Sequence, residues 1–214
     1  TRADGLPALP AGITRVIHVA TAGARDPAAY RGVFVDGLNR VLDALDTSQV
    51  ERVVFVSSSA VYGEHHGDWV TEDTPPAPQG FNGRILLEAE ALLAAQPLPH
   101  TTIRFAGLYG PGRLQLIERL RRGAAGAPTQ PPHWANRIHI DDAAAAIAHL
   151  ALLPDAQSVY IGCDDTPLPL HVLYADLACL IGAPAPAEAP APANIGSKKP
   201  VSYTHLRAHE TGRN

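Results

Sequence analysis

Three consecutive serines and a Tyr-Gly pair follow a run of apolar residues in the first third of the chain. The apolar run is Val53 to Val56, the hydroxyls are Ser57 to Ser59, and Tyr62 and Gly63 close the stretch. Four apolar residues in succession are typical of a strand buried on both faces of a parallel sheet. Ligands of open α/β sheets bind beyond the carboxyl ends of the strands. We therefore expect these hydroxyls to take part in chemistry; the alternative is that they only cap local backbone groups.

The elements that must position these groups alternate between strands and helices. Apolar runs predict strands at 15–20, 53–56, 101–105, 137–140 and 159–162. Helical periodicity predicts helices at 30–46, 82–95, 114–122, 141–152 and 170–181, with Asp141 as an N-cap. A polar, proline-rich loop is predicted at 67–80. This alternation favours the α/β class, with a doubly wound, mostly parallel Rossmann-like sheet.

Composition narrows the classes of partner. The chain has 214 residues, of which 46% are apolar and 18% charged, and its net charge is −4. Because this charge offers no basic footprint, nucleic acid is not an expected partner. No apolar run approaches the ~18 residues of a membrane span, so we expect no membrane partner and a cytoplasmic location. The two cysteines, Cys163 and Cys179, form no disulfide framework and predict no metal site.

Five blocks, in order along the chain, resemble a known family. They are 16–20, 35–44, 53–63, 104–111 and 137–142. Together they are similar to the extended short-chain dehydrogenase/reductases of the NAD-dependent epimerase/dehydratase family. The resemblance implies a Rossmann-like fold, NAD or NADP as cofactor and a small-molecule substrate. Members of the family often dimerise through helices equivalent to 30–46 and 82–95, so a homodimer is the expected assembly of the complete protein.

The resemblance also implies roles for individual residues. Ser58, four residues before Tyr62, would hydrogen-bond the reacting oxygen. The implied cofactor contacts are Val19, Ala20, Thr21, Val56, Ser57, Phe105, Ala106, Gly107 and Leu108. The implied substrate contacts are Ser59, Tyr109, Arg113 and Arg137. For Arg137 an alternative stays open, because a structural ion pair with Asp141 or Asp142 is equally compatible with the sequence.

Two catalytic positions of the family are occupied by other residues. The family's Tyr and Lys fall on Asn82 and Leu86 in the stretch from Asn82 to Glu90. Oxidation of an alcohol by hydride transfer needs a base for the hydroxyl proton, and an amide cannot act as one. The remaining candidates for the base are Asp36, His65, His66 and Glu88, and the sequence singles out none of them.

The sequence contains no Gly-x-x-Gly-x-x-Gly motif and no methionine. We therefore expect the sheet to lack its first strands and its pyrophosphate-binding loop, with at least one βαβ unit upstream of Thr1. We expect such a chain to fold poorly alone, and the choice between NAD and NADP is left open. The predicted domain organisation is a remnant of the NAD(P)-binding domain (1–112), a substrate-side segment (113–182), a Pro/Ala-rich linker (183–199) and an artefactual tail (200–214). The tail resembles a translated sequencing adapter, and its His205 and His209 have the spacing of helical metal ligands but no third ligand nearby.

Two functional hypotheses follow. The first is an NAD(P)-binding oxidoreductase or epimerase-like protein that acts on an unidentified small molecule. The second is a catalytically silent module that senses NAD(P) or serves as a scaffold. Asn82 and Leu86 favour the second hypothesis, whereas Ser58 and Arg137 are compatible with both, and whether the chain is an enzyme stays open at this point.

Overall fold

The computed structural model describes residues 9–192 and 195–202. Within these residues the strands are β1 (Arg15–His18), β2 (Arg52–Ser58), β3 (Trp69–Val70), β4 (His100–Phe105), β5 (Gly107–Tyr109), β6 (Gly126–Ala127), β7 (Trp134–Ala135), β8 (Arg137–His139), β9 (Val159–Gly162), β10 (Leu168–Pro169), β11 (Ala187–Glu188) and β12 (Lys199–Pro200). The helices are α1 (Pro27–Phe34), α2 (Asp36–Ala44), α3 (Phe81–Ala94), α4 (Gln115–Arg121), α5 (Ile140–Leu152) and α6 (Leu170–Ile181). Short 3₁₀ helices cover Thr47–Gln49 and Ser59–Tyr62. The predicted histidine pair of the tail, His205 and His209, lies outside the described residues.

The central sheet consists of four parallel strands in the order β1-β2-β4-β9. Strand β2 lies inside this sheet, and its Val53, Val54 and Phe55 are fully buried. Successive side chains of a strand point to opposite faces of the sheet, so a continuous apolar run contributes to the apolar cores on both faces. Val53 and Phe55 belong to one apolar cluster, and Val54 belongs to another. The predicted buried strand is therefore confirmed.

Helices cover both faces of the sheet. Helices α1, α2 and α3 supply the cluster that includes Leu38 and Leu93. Helix α5 packs against the opposite face through Ala143, Ala146 and Leu150, beside Ile103 of β4. This arrangement confirms the doubly wound, mostly parallel α/β fold.

A third apolar cluster lies beyond these two layers. It joins α4 to α6 through Leu120, Leu170 and Tyr174. Short pairings surround it: β5 pairs with β8 in parallel, and β7 pairs with β10 antiparallel. The substrate-side segment predicted at 113–182 thus contributes a core of its own, although β9 within it is a strand of the central sheet.

Two helix starts differ from the sequence predictions. The predicted helix 30–46 is in fact two helices, which meet at Val35. The first of them begins earlier than predicted, at Pro27. It begins there because the Asp26 carboxylate caps it by accepting the Ala29 N–H at 2.9 Å, and proline is favoured at the first helical position. The predicted N-cap Asp141 is wrong. The cap of α5 is His139, whose Nδ1 accepts the Asp141 N–H at 3.3 Å.

The segment 195–202, which the predicted organisation divides between a Pro/Ala-rich linker (183–199) and an artefactual tail (200–214), packs against the rest of the described chain. Ser197 and Lys198 are buried, and β12 pairs in parallel with β3. The Ser202 hydroxyl donates to Glu72 at 2.7 Å. The long-range hydrogen-bond partners of 195–202 lie 37 to 135 residues away in sequence.

The described helices are short, and the longest, α3, has 14 residues. None of them, within 9–192 and 195–202, combines the length and apolarity that a bilayer crossing requires. Their apolar residues instead meet the sheet or one another.

Two helical glycines predict opposite effects of the same substitution. A Cβ on Gly83 of α3 would come within 2.6 Å of the Ala60 carbonyl oxygen, whereas a Cβ on Gly32 of α1 would meet nothing within 4 Å. We expect Gly83→Ala to lower the free energy of unfolding by roughly 1–3 kcal/mol through overpacking. We expect Gly32→Ala to raise it by roughly 0.5–1 kcal/mol through helix propensity. Urea denaturation of both variants measures the difference, and equal signs would contradict the close approach at Gly83.

Candidate functional site

The carboxyl ends of the central strands lie side by side. Ser58 is in register with Phe105, and Phe105 is in register with Gly162, so β2, β4 and β9 end at one edge. The predicted cofactor contacts are distributed along this edge. Val19, Ala20 and Thr21 follow β1, and Val19 is 62% exposed. Phe105 and Ala106 are buried, whereas Gly107 is exposed.

Ser58 ends β2 and caps the 3₁₀ helix Ser59–Tyr62. Its Oγ accepts the Ala60 N–H at 3.2 Å. This is the local capping role that the sequence left open. A serine hydroxyl also carries one proton that it can donate. Ser58 can therefore cap the helix and donate a hydrogen bond to a bound oxygen at the same time.

A buried polar network lies next to Ser58, inside the core. Ser57 Oγ donates to Glu90 Oε1 at 2.5 Å, so its hydroxyl proton is used within the core. Arg104 Nη2 donates to Glu90 Oε2 at 2.6 Å, and Arg104 Nη1 donates to the Tyr62 hydroxyl at 2.9 Å. The guanidinium also lies over the Tyr62 ring, 5.1 Å from its centroid. The network ties β2, β4, α3 and the 3₁₀ helix together behind the sheet edge.

Burial and neighbouring charges shift the pKa values of two groups in this network, Tyr62 and Arg104. Burial raises the pKa of Tyr62, and the adjacent Arg104 opposes that rise. For Arg104, burial lowers the pKa, but hydrogen bonding and attraction to Glu90 outweigh it, so the pKa is raised. Tyr62 is thus a neutral acceptor at physiological pH. Sequence reasoning missed this network, although Glu90 ends the stretch that contains the family's Tyr and Lys positions.

The positions that would hold the family's Tyr and Lys carry no acid–base group. Asn82 is half-buried in the first turn of α3, and Leu86 is 4% exposed within the apolar cluster of that face. A leucine side chain in this cluster gives no charge that would lower the pKa of a neighbour.

The alternative bases are dispersed. Glu88 is bound by both terminal nitrogens of Arg31 on the surface of α1. His65 Nε2 contacts the Tyr62 carbonyl oxygen at 2.8 Å. The His66 side chain is 90% exposed, and Asp36 is exposed at the start of α2. None of these four groups is among the residues that line the substrate-side pocket described next.

A pocket of about 620 Å³ adjoins the strand ends on the substrate side. It brings together Tyr109, Arg113 and Arg137, three of the four predicted substrate contacts, with the predicted cofactor contact Leu108. Ser59, the fourth substrate contact, does not line it. Its remaining lining residues are Gly110, Leu114, Gln115, Leu116, Ile117, Arg119, Ala135, Asp164, Thr166, Leu168, Leu173, Tyr174 and Leu177.

Polar groups in this pocket converge from β5, β8 and the turn after β9. Arg137 lies over Gly107, and its buried Nε has no hydrogen-bond partner among the described residues. The Asp164 N–H donates to the Arg137 carbonyl oxygen at 2.6 Å. Burial raises the pKa of the Asp164 carboxyl, and a hydrogen bond from Tyr109 partly offsets that rise. Arginines beside apolar walls suit an anionic small molecule with an apolar or aromatic part.

No metal centre accompanies this pocket in the described ranges, where no group of three or more His, Cys, Asp or Glu side chains is placed to hold an ion. The charged groups available to a ligand there are the arginines and the Asp164 carboxylate.

Comparisons with known proteins give the same family as the sequence resemblance. The model of the "NAD dependent epimerase/dehydratase family" matches residues 6–162, which is most of the chain. The protein YeeZ of Escherichia coli (strain K12) is 31% identical over 156 residues, covering 72% of this chain and 54% of that protein. The chain therefore spans about half the length of the curated relatives it matches.

Solved structures are similar over nearly the whole chain. A functionally unknown conserved protein from Silicibacter pomeroyi is 30% identical with a TM-score of 0.74, covering 99% of this chain and 76% of its own. A structure of MoeE5 in complex with UDP-glucose and NAD is 27% identical with a TM-score of 0.75, covering 92% and 72%.

Proposed function

The chain belongs to the NAD-dependent epimerase/dehydratase family, and from this premise we propose that it is part of an NAD(P)-binding, epimerase-like oxidoreductase. In this proposal the nicotinamide cofactor binds along the carboxyl ends of β1, β2 and β4. An anionic small molecule, for which the UDP-glucose of MoeE5 is one chemical precedent, occupies the pocket of about 620 Å³.

The observation that carries this proposal is the convergence of Tyr109, Arg113 and Arg137 on one pocket beside the strand ends. These residues come from β5, the turn after it and β8, and only the fold brings them together. Guanidinium groups bind phosphates and carboxylates in forked geometry. The unpartnered Nε of Arg137 is one such donor. The leucines opposite provide the apolar wall that an aromatic or sugar ring needs.

The residues at the sheet edge fit one end of a dinucleotide. Ala20, Ala106 and Gly107 are small, and the buried Nδ1 of His18 at the end of β1 has no hydrogen-bond partner among the described residues. These residues would hold the nicotinamide and its ribose, and the cofactor would supply a hydride acceptor or donor. The pyrophosphate end has no counterpart here, since the sequence contains no Gly-x-x-Gly-x-x-Gly motif.

A fluorescence titration with NADH and with NADPH tests the proposal. We expect micromolar binding by the product of the complete coding sequence, with one coenzyme preferred, and much weaker binding by the 214-residue chain. Addition of UDP-glucose should then protect the pocket arginines from modification by phenylglyoxal. A folded protein, shown by a cooperative melt, that binds neither coenzyme would refute the proposal.

The burial of Leu86 favours a second candidate function, a catalytically silent module that senses NAD(P) or serves as a scaffold. Leu86 is 4% exposed in an apolar cluster, where a lysine would be strongly penalised. The double variant Asn82→Tyr/Leu86→Lys discriminates between the two. A gain of dehydrogenase activity would indicate an enzyme that has lost its catalytic Tyr and Lys. A loss of stability without activity would indicate that Leu86 is needed for core packing, and it would favour the silent module.

A further inference from the structure

The proposed oxidoreductase lacks a proton acceptor at its family's usual position, because Asn82 and Leu86 stand there. Hydride transfer to or from an alcohol carbon must be matched by a proton leaving or reaching its oxygen. A group that moves this proton has to lie where the substrate lies. A hydroxyl of the pocket that is linked to a carboxylate could do this.

Tyr109 and Asp164 meet this requirement. Both line the same pocket, Tyr109 from β5 and Asp164 from the turn after β9. The Tyr109 hydroxyl is hydrogen-bonded to the Asp164 carboxylate. Tyr109 is 41% exposed, whereas Asp164 is half-buried.

The backbone holds both residues in place. Tyr109 is in register with His139 of β8, and the two rings make an edge-to-face contact with centroids 5.3 Å apart. Asp164 is anchored through its N–H to the Arg137 carbonyl oxygen at 2.6 Å, and its own carbonyl oxygen accepts Asn136 Nδ2 at 2.6 Å. The hydroxyl and the carboxylate are therefore presented by rigid elements, as a proton-transfer pair requires.

The charges around Asp164 suit it to accept a proton. Burial has the largest effect and raises its pKa, and the carboxylates of Asp142 and Asp165 raise it further. The hydrogen bond from Tyr109 and the nearby His139 lower it. The Arg137 backbone faces the same turn, because its carbonyl oxygen accepts the Asp164 N–H. A carboxylate whose pKa is moved toward neutrality is a better proton acceptor at physiological pH than an ordinary surface aspartate.

We propose that Tyr109 is the catalytic acid–base residue of this pocket and that Asp164 is its proton-accepting partner, in place of the Tyr and Lys that the family uses elsewhere. This inference rests on the proposed oxidoreductase function. It concerns an alcohol or ketone group carried by the anionic molecule that the pocket arginines bind.

The proton and electron balance is complete. In oxidation, the O–H bond of the substrate alcohol breaks, its proton passes to Tyr109 Oη, and the phenolic proton passes to the Asp164 carboxylate. The two electrons of the C–H bond leave as hydride, for which oxidised NAD(P) is the acceptor, and the carbon becomes a carbonyl. In reduction each transfer runs in reverse.

The test uses the product of the complete coding sequence, UDP-glucose and UDP-glucuronic acid as probes, and both coenzymes. We expect Tyr109→Phe and Asp164→Asn each to lower kcat by about 10²–10⁴-fold while KM changes little. Asp155→Asn is the matched control, because it removes an exposed carboxylate that neither lines the pocket nor shifts the pKa of Asp164. Asp164→Asn should also remove the acidic limb of the pH profile, which a merely structural role would not do.

A second readout needs no turnover. The Asp164 carboxyl carbon, followed by NMR with ¹³C-labelled aspartate, should titrate at higher pH in Tyr109→Phe than in the parent, because the hydrogen bond that lowers its pKa is lost. Tyr30→Phe on α1 is the control and should leave that titration unchanged. Thermal melts of each variant establish that it is folded.

The outcomes distinguish failure of the acid–base assignment from failure of the proposed oxidoreductase function. An unchanged kcat in Tyr109→Phe, or an unchanged Asp164 titration, overturns the acid–base assignment and leaves the proposed function standing. A parent protein that binds NADH but converts neither probe also overturns the assignment. Failure of the folded parent protein to bind either coenzyme overturns the proposed function, and the assignment falls with it.

Discussion

Glu90→Gln is expected to lower the free energy of unfolding by roughly 3–5 kcal/mol. The substitution keeps the size of the side chain but leaves the Arg104 guanidinium, which is 6% exposed, without its counter-charge. Three hydrogen bonds from Arg104 and one from Ser57 currently end on the Glu90 carboxylate. A buried charge that loses its partner retains its full desolvation penalty. For a domain of this size the melting temperature should fall by roughly 6–20 °C.

The chain contains a matched control for this prediction. Arg31 and Glu88 also form a two-pronged arginine–glutamate pair, but both side chains are more than 40% exposed on the surface of α1 and α3. Solvent and salt screen such a pair, and its loss exposes no unsatisfied charge. We expect Glu88→Gln to shift the melting temperature by no more than the error of the measurement. Comparable losses from Glu88→Gln and Glu90→Gln would contradict the view that burial makes the Arg104 pair critical.

The strands were predictable because each carries its own signal. The apolar run at Val53–Val56 is long enough to require burial on two faces, and β2 extends only two residues further at its carboxyl end. Chain order does not encode the sheet order, which is set by long-range pairing between β2 and β4. The break at Val35 was not predictable from periodicity, because the apolar spacing continues across it.

The candidate site was predictable in part. The family resemblance indicated Tyr109, Arg113 and Arg137, and the fold brings them to one pocket. Asp164 was missed, although it lies two residues after the predicted strand 159–162. The rule that ligands bind beyond the carboxyl ends of strands applies to that strand as well, and it would have indicated Asp164.

The buried segment 195–202 could not be recognised from sequence. Its partners are distant: Lys198 Nζ donates at 3.1 Å to the carbonyl oxygen of Gly63, which is 135 residues away. A second bond of 3.1 Å runs to the Gly196 carbonyl oxygen. Lysine is rarely buried unless paired, so local composition predicts exposure at this position. Tertiary packing overrides this expectation of exposure, and the Lys198 residue is only 4% exposed.

This burial predicts that the stability of the protein depends on the titration of Lys198. Desolvation lowers the pKa of its amine from 10.5 to about 8, against the opposing attraction of Glu64. Between these values the unfolded chain binds the proton more tightly than the folded chain, so stability rises with pH. The penalty is complete below pH 8 and disappears above pH 10.5. It corresponds to roughly 3 kcal/mol.

The titration of the buried Cys163 changes stability with pH in the opposite direction. The effect of Lys198 must therefore be measured as the difference in stability between the parent and a Lys198 variant. Burial raises the pKa of the Cys163 thiol to about 12, and its contribution therefore decreases as pH rises above 9. His133 is buried next to Lys198, and burial lowers its pKa, so its titration affects stability below neutral pH. Urea denaturation between pH 7.5 and 10 consequently isolates Lys198 when the parent is compared with Lys198→Met.

We expect the stability of the parent relative to Lys198→Met to increase by roughly 3 kcal/mol or less across that range. At pH 7.5 the sign of the difference is set by two opposing effects. The methionine removes a buried charge, but it leaves the Gly63 and Gly196 carbonyls without their donor. Lys199→Met is the matched control, because Lys199 lies between the Trp69 and Trp134 rings and does not reach those carbonyls. If the free energy of unfolding of Lys198→Met changed with pH in the same way as that of the parent does, the Lys198 amine would be solvated in solution. The segment 195–202 would then pack more loosely than its hydrogen bonds indicate.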